Sequence, residues 1–308
     1  MPAERSWTPS GPHARLYDLR RSLMVLRRGP YDPAFRAGRD GVIWRATRTP
    51  EGPATLRLRR PEPPRVAATA WGPGADWALE RLPALLGEED RPEEFVPHHR
   101  LLAEALRRHR GVRLIRTGLV LESLIPSVLE QRVTTQDAYR AWRLLLRRFG
   151  EPAPGPGADL GMWVMPTPEA FARVPSWEWH RAGVDGKRSA ATVRAVRLAR
   201  RMEEAAGMQL PEAMARLQAV PGIGPWTAAE ALQRVCGAPD AVTVGDLHLP
   251  GIVGHALAGE RDADDARMLE LLAPYAGQRH RATRLLLLTG VSPPRRAPRQ
   301  RHADIARI

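Results

Sequence analysis

The chain has 308 residues, enough for two or three modules and a sizeable apolar core. It carries 47 Lys and Arg against 34 Asp and Glu, a net charge of +13 that favours polyanionic partners; a GC-rich genome produces the same arginine bias, so charge alone does not single out nucleic acid. A single cysteine excludes internal disulfides and a four-cysteine iron–sulfur cluster, and without an apolar run of about 18 residues or a signal-peptide core, no membrane partner and a cytoplasmic location are expected.

Residues 1–12 are polar and proline-rich and are predicted to be loose. From about 13 to 95, short β-rich or alternating runs lie between turn residues. They predict strands over 19–26, 41–47, 54–59 and 65–71, followed by a helix over 76–86. A helical period then recurs over 101–109, 118–134, 136–149, 168–174, 188–206, 211–220, 226–237, 248–258, 262–275 and 279–289. Residues 151–161, rich in proline and glycine, read as a connecting loop. Residues 291–308 are arginine- and proline-rich, a solvated tail or a strand of charge that brushes phosphates. The expected fold class is α+β, with a small antiparallel-sheet unit at 1–97, an all-helical unit at 98–290 and the tail at 291–308.

One junction within the helical part carries chemistry. Pro211 suits a first helical turn, and Pro221 and Gly222 stop that helix. Gly222 and Gly224 permit a tight reversal and have no side chain to keep a phosphate from the backbone amides. The next helix starts near Trp226, so its free N–H groups and positive dipole end face the same spot, with Thr227 just inside. Pro221, Gly222, Ile223, Gly224 and Thr227 are therefore the candidate contacts to a nucleic-acid backbone. Asp246 follows 22 residues after Gly224, in a loop flanked by glycine and proline. It has two readings: a carboxylate aimed at a sugar, or the N-cap of the helix that begins just after it.

This arrangement resembles the helix-hairpin-helix family of DNA glycosylases, with its glycine/proline-rich loop and aspartate. The likeness covers about 100–290, and domain order extends it to 13–95, as in the accessory N-terminal unit of the alkyladenine branch. The resemblance implies that Asp246 is catalytic, stabilising the oxocarbenium-like sugar or activating water. It implies a damaged double-stranded DNA partner, a monomer, and removal of alkylated purines of the 3-methyladenine or 7-methylguanine type. No cofactor is required, although the family's hairpins hold a sodium or potassium ion on backbone carbonyls, here Val220 and Ile223. Relatives that also nick the backbone carry a lysine where this chain has Trp226, and Lys187 is the sole lysine here. The reaction expected is hydrolysis that leaves an abasic site.

The same resemblance distributes further roles. Gln131 matches the family's glutamine at the edge of the base pocket, and Arg132 falls on the residue inserted into DNA, where the branch has an apolar side chain; a surface arginine is the other reading. Trp226 is a stacking platform for the base or a packing residue. Glu230 and Thr289 stand where the family places aromatics, so Glu230 either pairs with an arginine or hydrogen-bonds a different base. His248 supplies acid help or lines the lip of the pocket. Cys236 reads as a buried structural thiol. Two other functions stay open: a lyase-competent glycosylase for oxidised bases, and a non-catalytic DNA-binding protein.

Overall fold

Apolar and polar residues alternate between 43 and 71, and that period of two builds a five-stranded antiparallel sheet in the order β1-β5-β4-β3-β2. Its strands are β1 (Ala3–Trp7), β2 (Phe35–Ala37), β3 (Ile43–Thr49), β4 (Gly52–Glu62) and β5 (Arg65–Trp71). The register pairs Ile43 with Leu58 and Leu58 with Ala68, which puts Ile43, Leu56, Leu58, Val66, Ala68 and Ala70 on one buried face. Against that face lie α1 (Leu19–Leu23), α2 (Ala75–Glu80) and α3 (Leu82–Leu85). The computed structural model describes residues 2–11 and 13–294, so the expected tail lies outside the described residues beyond 294.

Three local expectations are corrected here. Segment 19–26 is a helix followed by a 3-10 turn, not a strand. Asp18 caps it by accepting the Arg21 amide, and Leu19, Ser22 and Leu23 bury one helical stripe. Segment 1–12 is not uniformly loose: β1 pairs along β5 because Trp7 is buried, edge-on to Tyr17 with ring centroids 5.2 Å apart. The helix expected over 76–86 breaks at Arg81, where Pro83 opens a new turn.

The helical part comprises α4 (Arg100–Arg108), α5 (Val120–Leu129), α6 (Thr135–Phe149), α7 (Pro156–Asp159), α8 (Pro168–Ala172), α9 (Ser176–Arg181), α10 (Gly186–Arg197) and α11 (Ala199–Glu203). It continues with α12 (Leu210–Gln218), α13 (Pro225–Val235), α14 (Leu249–Ala258), α15 (Asp265–Leu271) and α16 (Arg279–Thr289). The loop expected at 151–161 holds α7 and the first strand of a small hairpin, β6 (Glu151–Pro152) with β7 (Trp163–Val164). The stretch expected as one helix over 188–206 is interrupted at Leu198, and α9 carried no clear period in the sequence.

Helix α5 is apolar apart from Glu122 and two serines, Ser123 and Ser127, and every residue of it but Glu122 is buried. Its first amides, Val120 and Leu121, donate to the Glu203 carboxylate at 2.7 and 2.9 Å. Glu122 faces the sheet, where Arg45, Thr47 and the Arg48 amide bind it. Beside it, burial pushes the Asp32 carboxyl up to about 6, against hydrogen bonds from the Arg28 and Ala34 amides and the Trp142 indole. The helix ends at Leu129, short of the expected 134, so Gln131 and Arg132 lie in the turn that follows.

The helices form two cores. One joins α5, α6 and α8–α13. The other joins Phe95 and α4 to α14–α16, so it is built from both ends of the helical part. The segment between α13 and α14, which carries Asp246, crosses from the first core to the second.

Candidate active site at the hairpin

The reversal between α12 and α13 closes with the Val220 amide on the Leu217 carbonyl and the Ile223 amide on the Val220 carbonyl, at 3.2 and 3.0 Å. Gly222 has φ +97°, and a Cβ there would stand 2.8 Å from the Ala191 Cβ of α10. Glycine is thus required at 222 by both backbone and space. Gly224 differs: it is extended, with φ −93° and ψ −179°, and a Cβ there would meet nothing within 4 Å. The fold does not demand glycine at 224, where the backbone is open to an approaching group.

The hairpin is braced from two sides. The Gln131 amide donates to the Gly222 carbonyl at 2.9 Å and to the Thr227 hydroxyl at 2.8 Å. Arg194 donates to the Pro221 carbonyl at 3.1 Å. The structure therefore commits the Gln131 NH2 group to the hairpin, and buried Thr227 serves as its inner anchor. Pro225 occupies the first turn of α13, so the amides of Trp226 and Thr227 head the helix at its positive end. Val220 and Ile223 present carbonyl oxygens on this turn, and the Val220 oxygen already accepts the Ile223 amide. Hard carbonyl oxygens of this kind suit a monovalent cation.

Asp246 is joined to the hairpin helix. The Trp226 indole Nε1 donates to Asp246 Oδ2 at 2.9 Å. Asp246 Oδ1 accepts the amides of His248 and Leu249, each at 2.8 Å, and so tethers the start of α14. The carboxylate thus ties down the start of α14, as its capping reading expects, and its other oxygen faces the head of α13. Gly245, with φ +87°, anchors the loop from the other side by donating to both Asp265 oxygens at 3.0 Å. His248 is exposed beside it.

From Trp226, one face of α13 runs through Glu230 to Arg234. Glu230 pairs with Arg234 at 2.8 Å, and the pair is largely buried. Arg234 also donates to the Val25 carbonyl at 2.9 Å, which ties this face to the sheet unit. Arg284 on α16 lies nearby; burial, and then the Arg234 charge, pull its guanidinium down to about 10. Burial together with Arg284, Arg234 and Arg281 holds His280 well below the usual imidazole range, so this ring is neutral at physiological pH. Sequence reasoning did not single out Arg234, Arg284 or His280; the i, i+4 spacing of Glu230 and Arg234 was the available signal.

The remaining expected residues are placed elsewhere. The Thr289 hydroxyl donates to the Leu286 carbonyl and accepts the Val291 amide, so it closes the end of its own helix. Lys187 is exposed at the head of α10, where Asp185 accepts its amide. Cys236 is partly buried, its thiol near the Ala205 and Ala206 carbonyls, and burial raises its pKa. Arg132 is exposed with φ +53°, the one left-handed non-glycine residue among the described residues. No cluster of three His, Cys, Asp or Glu able to hold a metal occurs among the described residues, and no helix there is long and apolar enough to cross a membrane.

No protein-family model matches this sequence, and no curated protein matches it. Solved structures do. The 3-methyladenine DNA-glycosylase from Archaeoglobus fulgidus superposes with a TM-score of 0.73 at 19% identity, over 93% of this chain and 98% of that one. The Clostridium acetobutylicum 8-oxoguanine glycosylase/lyase in complex with double-stranded DNA gives a TM-score of 0.71 at 10% identity, over 90% and 92%. The Schizosaccharomyces pombe 3-methyladenine DNA glycosylase in complex with abasic DNA gives 0.52 at 17% identity, over 64% of this chain and 94% of that one. At these identities the likeness is one of architecture: the chain has the fold of the helix-hairpin-helix DNA glycosylases.

Proposed function

We propose that this protein is a monofunctional DNA glycosylase that binds damaged duplex DNA, extrudes an alkylated purine of the 3-methyladenine or 7-methylguanine type, and hydrolyses its glycosidic bond. The observation that carries the reading is the 2.9 Å bond from Trp226 to Asp246, which fixes a carboxylate beside the helix end that would hold the DNA backbone. In this reading the amides after Gly224 bind a phosphate, and the carbonyls of Val220 and Ile223 hold a monovalent cation that lowers the local phosphate repulsion. Asp246 then stands against the sugar, where its charge stabilises the oxocarbenium-like transition state and orients the attacking water.

Hydrolysis without strand cleavage is favoured because Trp226, not a lysine, occupies the head of α13, and the sole lysine, Lys187, lies on a different helix, at the head of α10. A second reading, excision of neutral oxidised or deaminated bases, is favoured by the Glu230–Arg234 pair, which sets charged groups rather than an aromatic ring one turn beyond Trp226. The test is product analysis on duplexes carrying one defined lesion each. Alkali-labile sites with no strand break before alkali support the proposal. Breaks without alkali, together with borohydride trapping of a covalent complex, overturn the monofunctional assignment. Release confined to neutral oxo-purines replaces the alkylpurine substrate with the second reading.

A further inference from the structure

The most exposed large apolar side chain among the described residues is Leu247, at 82%. Isolated exposed leucines are ordinary on protein surfaces. This one differs in how it is held. Asp246 Oδ1 binds the amides of His248 and Leu249 at 2.8 Å, and Gly245 is fixed by Asp265, so the turn that carries Leu247 is clamped on both sides. Leu249, two residues on, is buried in the second helical core. A rigid turn thus presents a naked leucine directly beside the carboxylate.

A second turn is held against the hairpin. Gln131 is tied to Gly222 and Thr227, and the next residue, Arg132, is exposed in a left-handed conformation. One exposed side chain, apolar Leu247, therefore stands next in sequence to the carboxylate, and another, charged Arg132, follows the glutamine that braces the hairpin.

We propose that Leu247 is an apolar wedge that enters the base stack of duplex DNA next to the nucleotide extruded toward Asp246. This rests on the glycosylase reading above. A leucine offers no hydrogen bonds and fills a gap between base faces without sequence preference. Arg132, with five N–H donors and no apolar tip, is then left to the polar edge of the unpaired partner base or to phosphate. The wedge is carried by the same loop as the carboxylate, so insertion and placement of Asp246 occur as one movement.

The test uses the full chain and a duplex with a tetrahydrofuran abasic analogue, with 2-aminopurine as the neighbouring base. Binding by the unmodified protein should raise the 2-aminopurine fluorescence. Leu247→Ala should keep the melting temperature, lose the fluorescence rise and weaken duplex binding about tenfold, the scale of one well-packed interface side chain. Its affinity for the same strand without a complement should be unchanged, because no stack is there to be opened. Arg132→Ala should weaken binding while retaining the fluorescence rise. If the unmodified protein prefers the abasic duplex and Leu247→Ala matches it in affinity and fluorescence, the wedge is refuted while the glycosylase reading stands. If the unmodified protein does not distinguish abasic from intact duplex, both fall.

Discussion

The two hairpin glycines should respond in opposite ways to the same change. Gly222→Ala puts a side chain in the left-handed region, which costs about 1–2 kcal/mol. Its Cβ would also meet the Ala191 Cβ at 2.8 Å. Carbon atoms prefer about 3.5–4.0 Å, so α10 and the hairpin must separate by nearly an ångström, an overpacking cost of about 1–3 kcal/mol. Together these take about 2–5 kcal/mol from a total stability of about 5–15 kcal/mol. Gly224→Ala meets no neighbour and keeps an ordinary extended backbone. The loss of a glycine N-cap, up to about 1 kcal/mol, is offset by about 0.4–1 kcal/mol of reduced unfolded-chain freedom. Urea unfolding should therefore show a large shift for Gly222→Ala and almost none for Gly224→Ala. Duplex binding should show the reverse sensitivity for its size: Gly224→Ala, though fully folded, should bind at least about tenfold more weakly, since the methyl stands where a phosphate would meet the amides of α13. Wild-type affinity in Gly224→Ala would refute the hairpin as the backbone contact. Wild-type stability in Gly222→Ala would refute the steric argument.

Other outcomes follow from the same geometry. Trp226→Phe removes the indole donor from Asp246 while keeping an aromatic ring, so base release should fall with little loss of DNA affinity, measured as single-turnover rate against binding. Glu230→Gln leaves the buried Arg234 without its counter-charge and should cost about 2 kcal/mol or more in urea unfolding; unchanged stability would show that the Val25 and backbone bonds suffice. His280 is depressed in the folded protein, so below its unfolded value near 6.5 the unfolded chain takes up a proton that the folded chain does not. Stability should fall as pH drops below about 6.5, and His280→Leu should flatten that slope. Asp32 acts with the opposite sign: its raised carboxyl makes stability fall as pH rises from about 4 to about 6.

The hairpin was legible because Pro221, Gly222 and Gly224 are local punctuation, and the α13 pattern begins directly behind them. Strands β3, β4 and β5 were legible through their period of two. β1 was not, because Glu4, Arg5 and Ser6 are exposed or half-exposed on an edge strand and only Trp7 is buried. The run from Leu23 to Leu26 suits strand and helix equally, and the decision came from the Asp18 cap. The sequence singled out Trp226, Asp246, Gln131 and Gly222, but not the bonds that join them. Trp226 reaches Asp246 across 20 positions and Gln131 reaches Gly222 across 91, separations that no spacing rule spans. Thr289 was assigned to the pocket by register alone, and the structure turns its hydroxyl into its own helix end.

The central claim is that Asp246 acts on the sugar rather than only capping α14. Asparagine caps a helix as well as aspartate and can keep the His248 and Leu249 bonds through its carbonyl, so Asp246→Asn removes the charge at small cost to the cap. The decisive measurement is release of free base from randomly methylated duplex DNA by the unmodified protein and by Asp246→Asn. The account predicts that the unmodified protein releases methylated purines and that the variant binds the DNA but loses at least about a hundredfold in rate, roughly 3 kcal/mol of barrier. Equal release by the two proteins would contradict it, and would leave Asp246 as a helix cap alone.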